Sequence, residues 1–309
     1  MSQPPHHTVR TTLPTPWLDP PFPCGYEAQR QTYFAYSHAI VAEGPALIVT
    51  LNSCTYHGLS HEKTAEYNHG RVTPHLVSKL TASLAAHEND PRPRVLLTHH
   101  HPIQLPHLDL SERSQIKDGG ILLSALEKNG EWLIIHGHKH RPWLQYSSGG
   151  AGAPIVLSAA SFAANLGGGH FGSTLRNQFH LVELDNQIED GVESALAGSV
   201  RSWSLDPLSD PLWYEAGPKQ GLMAQSGFGW RASPRYIAPR MLAWIRRGQE
   251  GTLDRDSLLD WEPRLKFLIP SDLEQTFALV ERMGNLETIR DSRGQFAGVK
   301  FAQPGVGDA

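Results

Sequence analysis

The sequence predicts an α/β fold in which a layered α/β domain is followed by a C-terminal α+β extension. Up to about residue 135, short β-branched runs alternate with segments of helical periodicity, and further strand-like runs then follow one another. The first pattern is typical of strands joined by helices, and the second of strands that pair through hairpins or meanders. With 309 residues, the chain can bury the core of one large domain or of two smaller ones.

The first part of the predicted domain alternates between strand and helix. Residues 46–51 form a short β-branched run, which predicts a buried strand. Thr73 and Pro74 then provide an N-cap and a proline for the first helical turn, and leucines recur every four residues after them, as on the apolar stripe of a helix. Residues 95–98 are the next predicted strand, and a helix over 121–128 ends at an Asn-Gly pair.

The later part of the chain is predicted to be richer in strands. Four runs of strand-forming residues are 132–135, 154–161, 179–184 and 200–205. In the C-terminal region, Ser271 and Glu274 have the spacing of a capping box and predict the start of a helix that ends at Gly284. Residues 289–301 predict a hairpin, so the extension is of mixed α+β type.

Composition divides the chain into three regions. Residues 1–32 are rich in proline and show no period, and we expect them to form a disordered leader. The predicted α/β domain covers residues 33–215, and the extension covers residues 216–309. The sequence shows no internal repeat.

Charge, hydropathy and cysteine content exclude several classes of function. The chain has 27 basic and 31 acidic residues, a formal net charge of −4 and no extended basic run, so we expect no nucleic-acid platform. Its apolar stretches are far shorter than the roughly 18 residues of a membrane helix, so we expect no membrane span. The N-terminus lacks a secretory pattern, and we expect a cytoplasmic location. Cys24 and Cys54 are too few for a disulfide scaffold or an all-cysteine zinc site.

Histidine is distributed unevenly, and two clusters of it follow predicted strands. None of the 17 histidines lies after His180. One cluster, residues 99–101, follows the strand at 95–98, and the other, residues 136–140, begins where the strand at 132–135 ends. Loops at strand ends are where open α/β sheets carry their functional sites. Two histidine clusters at such ends therefore predict a metal site.

The spacing within the second cluster indicates how its imidazoles are used. Gly137 lets the backbone turn sharply, and His138 and His140 alternate in a segment that we expect to be extended, so that their side chains project towards the same side. Neutral imidazole is a common ligand of zinc, iron and manganese centres. Two metals roughly 3.5–4 Å apart can clamp a phosphate oxygen and activate a bridging water. We expect His136, the last strand residue, to pack rather than to bind metal.

The order of these motifs resembles the calcineurin-like metallophosphoesterase superfamily. The segments that carry the resemblance are Leu-Asn-Ser-Cys at 51–54, Leu-Thr-His-His-His-Pro at 97–102, Ile-His-Gly-His-Lys-His-Arg-Pro at 135–142, Ala-Ala-Ser at 159–161 and Asn-Gln-Phe-His-Leu-Val-Glu-Leu at 177–184. The resemblance implies a four-layer α/β/β/α sandwich, with two mixed sheets between helices. It also implies two divalent metal ions (Mn, Fe or Zn) at the strand ends and hydrolysis of a phosphomonoester or phosphodiester substrate.

Carried over position by position, the resemblance implies four candidate metal ligands. His138 would bind the second metal and His140 the first, and one histidine of the triplet would complete the second site. Counting forward from the strand selects His99, whereas counting back from the proline after the triplet selects His100. Both stay candidates, and strand register favours His99. His101 is then left for a phosphate contact or a supporting role.

Three motifs that such enzymes carry before the histidine triplet are absent from this sequence. They are Asp-x-His, Gly-Asp, whose carboxylate bridges both metals, and Gly-Asn-His. The sole Gly-Asp pair is Gly307-Asp308, and Asn68-His69 is followed by glycine rather than preceded by it. The chain therefore corresponds to the family domain without its first half. Three histidines without a bridging carboxylate do not hold two cations in catalytic geometry.

Three explanations compete for this departure from the family pattern. The chain is a fragment or truncated gene model of an intact enzyme, a half-enzyme completed by a second chain, or a relic retained as a binding module. The rival function, from another class, is a non-catalytic scaffold that binds a partner through tryptophans of the C-terminal region. These tryptophans are Trp203, Trp213, Trp230, Trp244 and Trp261, for which we favour core positions.

Overall fold

The computed structural model describes residues 37–55, 69–106, 114–163, 176–185, 196–206, 212–217, 221–248, 252–292 and 294–301. The predicted leader, residues 1–32, lies outside these ranges. The described part is a mixed α/β structure with three sheets and five α-helices. None of its helices combines the length and the apolar character that a membrane span requires.

A six-stranded sheet and two helices form the first part of the fold. The strands are β1 (His38–Val41), β2 (Leu47–Leu51), β3 (Arg94–Thr98), β4 (Trp132–His136), β5 (Trp143–Tyr146) and β6 (Ile155–Ser158). The helices are α1 (Pro74–Leu84) and α2 (Gly119–Glu127). The strand order is β1-β2-β3-β4-β6-β5, in which β2, β3, β4 and β6 run parallel. Their register aligns four last residues in one row: Leu51, Thr98, His136 and Ser158.

Alternation along the strands divides the side chains of this sheet between two cores. In β3, Leu96 belongs to the core under α1 and α2, whereas Val95 belongs to the core on the opposite face. Ile134 and Leu133 divide in the same way in β4, and both are fully buried. Burial of a leucine or isoleucine side chain contributes roughly 1.5–3 kcal/mol relative to exposure. The sheet is therefore fixed between helices on one side and a second sheet on the other.

The second sheet is antiparallel and packs against the first. Its strands are β7 (Gln178–Asp185), β8 (Ala197–Leu205), β9 (Trp213–Glu215) and β10 (Gln225–Phe228). Val200 and Phe228 are fully buried in the core that the two sheets share. Because β10 pairs with β8, this sheet includes residues beyond position 215.

The C-terminal extension combines three helices with a small antiparallel sheet. The helices are α3 (Pro234–Gly248), α4 (Arg255–Trp261) and α5 (Pro270–Gly284). The strands are β11 (Thr252–Asp254), β12 (Leu286–Arg290) and β13 (Phe296–Phe301). Trp230 is buried in the core of this extension, and Trp244 and Trp261 pack against it. The predicted core positions are thus confirmed for these three tryptophans.

Local signals in the sequence explain some of these helices and not others. The helix predicted after Thr73 is confirmed as α1, because the Thr73 hydroxyl accepts the Leu76 N–H and the leucine stripe is buried. The predicted capping box at Ser271 is wrong. Helix α5 begins at Pro270 without a side-chain cap, which places Ser271 inside the first turn.

Helix α3 has no counterpart in the sequence-based prediction. Pro239 lies in its interior, where proline removes a backbone hydrogen bond and usually interrupts a helix. Its buried face nevertheless has helical spacing, since Ile237, Met241 and Ile245 recur every four residues and are almost fully buried. Tertiary packing of this face therefore overrides the local signal of the proline.

His180 on β7 connects the second sheet to the end of β6. Its Nδ1 lies 2.8 Å from the Ser202 hydroxyl, and its Nε2 accepts the Ala160 N–H at 3.2 Å. An accepting Nε2 requires a neutral ring that carries its proton on Nδ1. Burial lowers the pKa of His180 from 6.5 to about 4.

We expect protonation of His180 to destabilise the fold in acid. The unfolded chain binds this proton below about pH 6.5, whereas the folded chain does so only near pH 4, so stability present above pH 6.5 is lost as the pH falls. At pH 5 the loss is about 2 kcal/mol. Between pH 7.5 and pH 5, the free energy of unfolding of the wild type should fall by about 2 kcal/mol more than that of His180→Gln. Chemical denaturation at the two pH values measures both proteins. Parallel pH dependence of the two proteins would contradict the expectation.

Candidate metal centre

The two histidine clusters meet at the carboxyl edge of the parallel strands. The triplet follows β3, and the Gly137–Arg141 segment follows β4, whose last residue His136 is in register with Thr98. The Gly137 N–H donates to the His99 carbonyl over 3.2 Å, so the ladder between the two strands continues one step into the loops. Strand register thus brings residues that are 39 positions apart, His99 and His138, to neighbouring places.

Three imidazoles form a compact group at this edge, which we term the histidine triad: His99, His100 and His138. One ligand atom from each lies within 4.8 Å of the others. Their ring centres are 4.5–4.8 Å apart. His100 is fully buried, His138 is partly buried and His99 is exposed, so the group has a closed side and an open side.

The distances within the triad suit a bound metal ion. Two imidazole nitrogens on one tetrahedral zinc ion, each 2.0–2.1 Å from the metal, lie about 3.3 Å apart. His99 Nε2 and His138 Nδ1 are 3.0 Å apart and share a hydrogen bond. These two nitrogens would need to separate by only a few tenths of an ångström to hold a metal ion in place of the shared proton. The donor set fits zinc and other transition metals that prefer imidazole.

Buried neighbours fix the orientation of the His100 ring. Its Nδ1 lies 2.8 Å from the Ser53 hydroxyl, which also accepts the His100 backbone N–H at 3.2 Å. A proton on Nδ1 that is donated to Ser53 leaves the Nε2 lone pair for a metal, as the supporting hydrogen bonds of metal-binding histidines commonly do. Gly70 packs against the ring so closely that a Cβ there would lie 2.6 Å from His100 Cβ.

The loop that carries His138 has an unusual backbone. His138 and His140 both adopt left-handed conformations, with φ of 70° and 54°. The expectation of an extended segment with alternating side chains is therefore wrong. Left-handed backbone is uncommon for residues other than glycine, and strain of this kind clusters at functional sites.

Two further histidines of the clusters, His140 and His101, do not belong to the triad. His140, one of the predicted ligands, does not belong to the group, because the left-handed turns abolish the alternation that would have aligned it with His138. Burial lowers its pKa. His101 is fully buried, with Nδ1 at 2.8 Å from the Ile103 carbonyl and Nε2 at 2.9 Å from the Ser114 hydroxyl. His101 is therefore not positioned for a phosphate contact, which was one of the two roles expected for it from the sequence.

Two supporting residues of the site were not identified from the sequence. Ser53 lies in the Leu-Asn-Ser-Cys segment that contributed to the family resemblance, but its contact with His100 depends on the pairing of β2 with β3. Gly70 follows Asn68-His69, a pair that departs from the Gly-Asn-His motif of the family, and no local pattern indicates its contact with His100. His136 is buried as expected, and burial lowers its pKa to about 3.

The chain matches no protein-family model and no curated protein sequence. The resemblance to metallophosphoesterases therefore rests on the quoted motifs. The geometry of the histidine triad is independent of that resemblance.

Proposed function

We propose that this chain contributes the metal-binding histidines of a metal-dependent phosphoesterase, which hydrolyses a phosphomonoester or phosphodiester. The observation that carries the proposal is the convergence of His99, His100 and His138 at the carboxyl edge of a parallel sheet. Imidazole is the commonest side-chain ligand of metals in proteins, and this edge is where α/β sheets carry their sites. The order of the motifs along the chain supplies the reaction class.

The side chains of the site have roles that follow from their positions. The triad would hold a divalent ion, which would supply Lewis acidity at this edge of the sheet. Ser53 orients the His100 ring, which keeps one face of the site rigid and dry. Lys139 and Arg141 lie in the same loop as His138 and are partly exposed, and their charge favours an anionic substrate.

The complete catalytic domain in this proposal holds two divalent metal ions (Mn, Fe or Zn) within a four-layer sandwich. The triad contains no Asp or Glu, and two cations need a carboxylate between them. We propose that a second chain supplies the missing half-domain and with it this carboxylate, and that His140 would bind the first metal in the completed site. A cytoplasmic location is part of the same proposal.

Phosphate binding tests the proposal in the isolated chain. We expect inorganic phosphate to bind the chain loaded with one equivalent of zinc, since the open side of the triad exposes the metal to an anion. The metal-free chain and the zinc-treated His138→Asn variant are the controls, and neither should bind. Isothermal titration calorimetry measures the three cases, and a zinc-loaded wild type that does not bind phosphate would contradict the proposal.

Hydrolysis by the isolated chain is expected to be absent, because the triad among the described residues contains no carboxylate and no Gly-Asp pair precedes it in the sequence. The rate with bis(p-nitrophenyl) phosphate should be no higher than that of a variant with His138→Ala and His140→Ala. Manganese-dependent turnover that these substitutions abolish would show that another carboxylate substitutes in this chain.

A non-catalytic scaffold is the second candidate, and the outer face of the second sheet favours it. Phe179 on β7 stacks on Trp203 at 4.7 Å and contacts Trp213 edge-on at 5.0 Å. Leu181 beside it is 47% exposed. Exposed apolar patches mark interaction sites on many proteins. Absence of phosphate binding in the titration above would favour this candidate over the phosphoesterase.

A further inference from the structure

A second concave site lies between the first sheet and the C-terminal extension. It is a cavity of about 600 Å³, a volume typical of small-molecule sites. Glu131, Gly150 and Ala151, which precede β4 and β6, form one wall, and the segment that leads into α3 forms the other. Because β4 and β6 begin there, the cavity lies at the amino edge of the parallel strands, opposite the histidine triad.

Flat surfaces line part of this cavity. The indole of Trp230 is nearly buried, and the guanidinium of Arg264 lies over it, 4.8 Å from the ring centre. Arg264 donates two hydrogen bonds to Glu262, of 2.6 and 2.5 Å, so that the carboxylate compensates the charge of the guanidinium. Tyr236 also lines the cavity and is 55% exposed, so its ring is accessible to a ligand.

The charge of Arg231 has no such compensation. Its guanidinium donates to the Ala153 carbonyl and lies 4.0 Å from the centre of the Tyr146 ring. Its Nε is buried without a hydrogen-bond partner, and no acidic side chain of the described residues forms an ion pair with it. Arg231 therefore lines the cavity with a positive charge that no described carboxylate pairs with, and this charge favours an anion there.

We propose that this cavity binds a planar aromatic ligand that carries one anionic group, a carboxylate or a phosphate. Arg231 recognises the anion, and Tyr236 together with the Arg264–Trp230 stack contacts the ring. Glu131 in the same wall disfavours a second anionic group on the ligand. This binding requires neither a metal nor the histidine triad.

Matched pairs of ligands test the chemistry. Nicotinic acid and nicotinamide differ in one carboxylate, and adenosine monophosphate and adenosine differ in one phosphate. We expect at least one anion to bind the full chain in a calorimetric titration, and its neutral counterpart to bind at least tenfold more weakly, since charge-assisted hydrogen bonds contribute that factor or more. The member that binds identifies the anionic group. Failure of both anions, or equal binding of a neutral counterpart, would overturn the proposal.

Matched variants test the residues. Arg231→Gln should weaken binding of the anion at least tenfold, whereas Arg235→Gln, the same change at an exposed position outside the cavity wall, should leave it unchanged. Tyr236→Ala provides a second test in case Arg231→Gln proves unfolded. It removes an exposed ring, which the fold tolerates, and should weaken binding several-fold. Wild-type affinity in a folded Arg231→Gln protein, or in Tyr236→Ala, would contradict the assignment.

Discussion

Replacement of His138 by asparagine should weaken zinc binding at least about 100-fold. Loss of a residue that merely supports a metal ligand already lowers affinity 10–100-fold, and His138 offers a ligand atom itself. Asparagine is the suitable substitute because it tolerates the left-handed backbone that His138 adopts. Competition with a zinc-binding dye measures the affinity, and circular dichroism checks that the fold is retained.

The matched control is His140→Asn in the same loop. His140 also adopts a left-handed backbone conformation, but it lies outside the triad. Its replacement should change zinc affinity by less than about threefold, a difference of about 0.6 kcal/mol. Equal losses in the two variants would show that the loop as a whole, rather than the triad, determines binding. Wild-type zinc affinity in both variants would show that His138 is not a ligand.

Replacement of Gly70 by alanine should affect both stability and zinc binding. The added Cβ would lie 2.6 Å from His100 Cβ and 2.8 Å from both His100 Cγ and Ile116 Cγ1. These atoms are near the backbone and have little freedom to move, so either the ring or the Gly70 segment has to shift. We expect a loss of about 2 kcal/mol in the free energy of unfolding and a loss of at least tenfold in zinc affinity.

Gly137→Ala is the control for this substitution, because Gly137 is adjacent to His138. A Cβ at Gly137 meets no heavy atom within 4 Å, and its φ is not positive. We expect stability and zinc affinity close to those of the wild type. Denaturant titration and dye competition measure both proteins, and wild-type zinc affinity in Gly70→Ala would contradict the packing role of Gly70.

The strand ends could be predicted because their signals are local. Each apolar run is short and ends at a polar residue, so the clusters at 99–101 and 136–140 could be assigned to strand ends before any pairing was known. The choice between His99 and His100 could not be made in this way. The direction of β3 favours His99, whereas the ring of His100 is oriented by its contact with Ser53, which lies in the turn after β2. The structure brings both into the triad.

Features that depend on distant contacts or on backbone dihedrals could not be predicted from the sequence. Gly137 was expected to supply the freedom for the turn, but His138 and His140 adopt the positive φ values instead. The cavity beside Arg231 brings together segments about 80 residues apart, as the contact between Tyr146 and Gly229 shows. Local periodicity contains no information on such approaches.

X-ray absorption spectroscopy at the zinc edge tests the central claim most directly. The wild-type chain loaded with one equivalent of Zn²⁺ should show about three imidazole nitrogens at roughly 2.0 Å from the metal. His138→Asn should lose this signature, and His140→Asn should keep it. A wild-type spectrum of hydrated zinc without imidazole scattering, or one that is unchanged in His138→Asn, would contradict the assignment of His99, His100 and His138 as a metal centre.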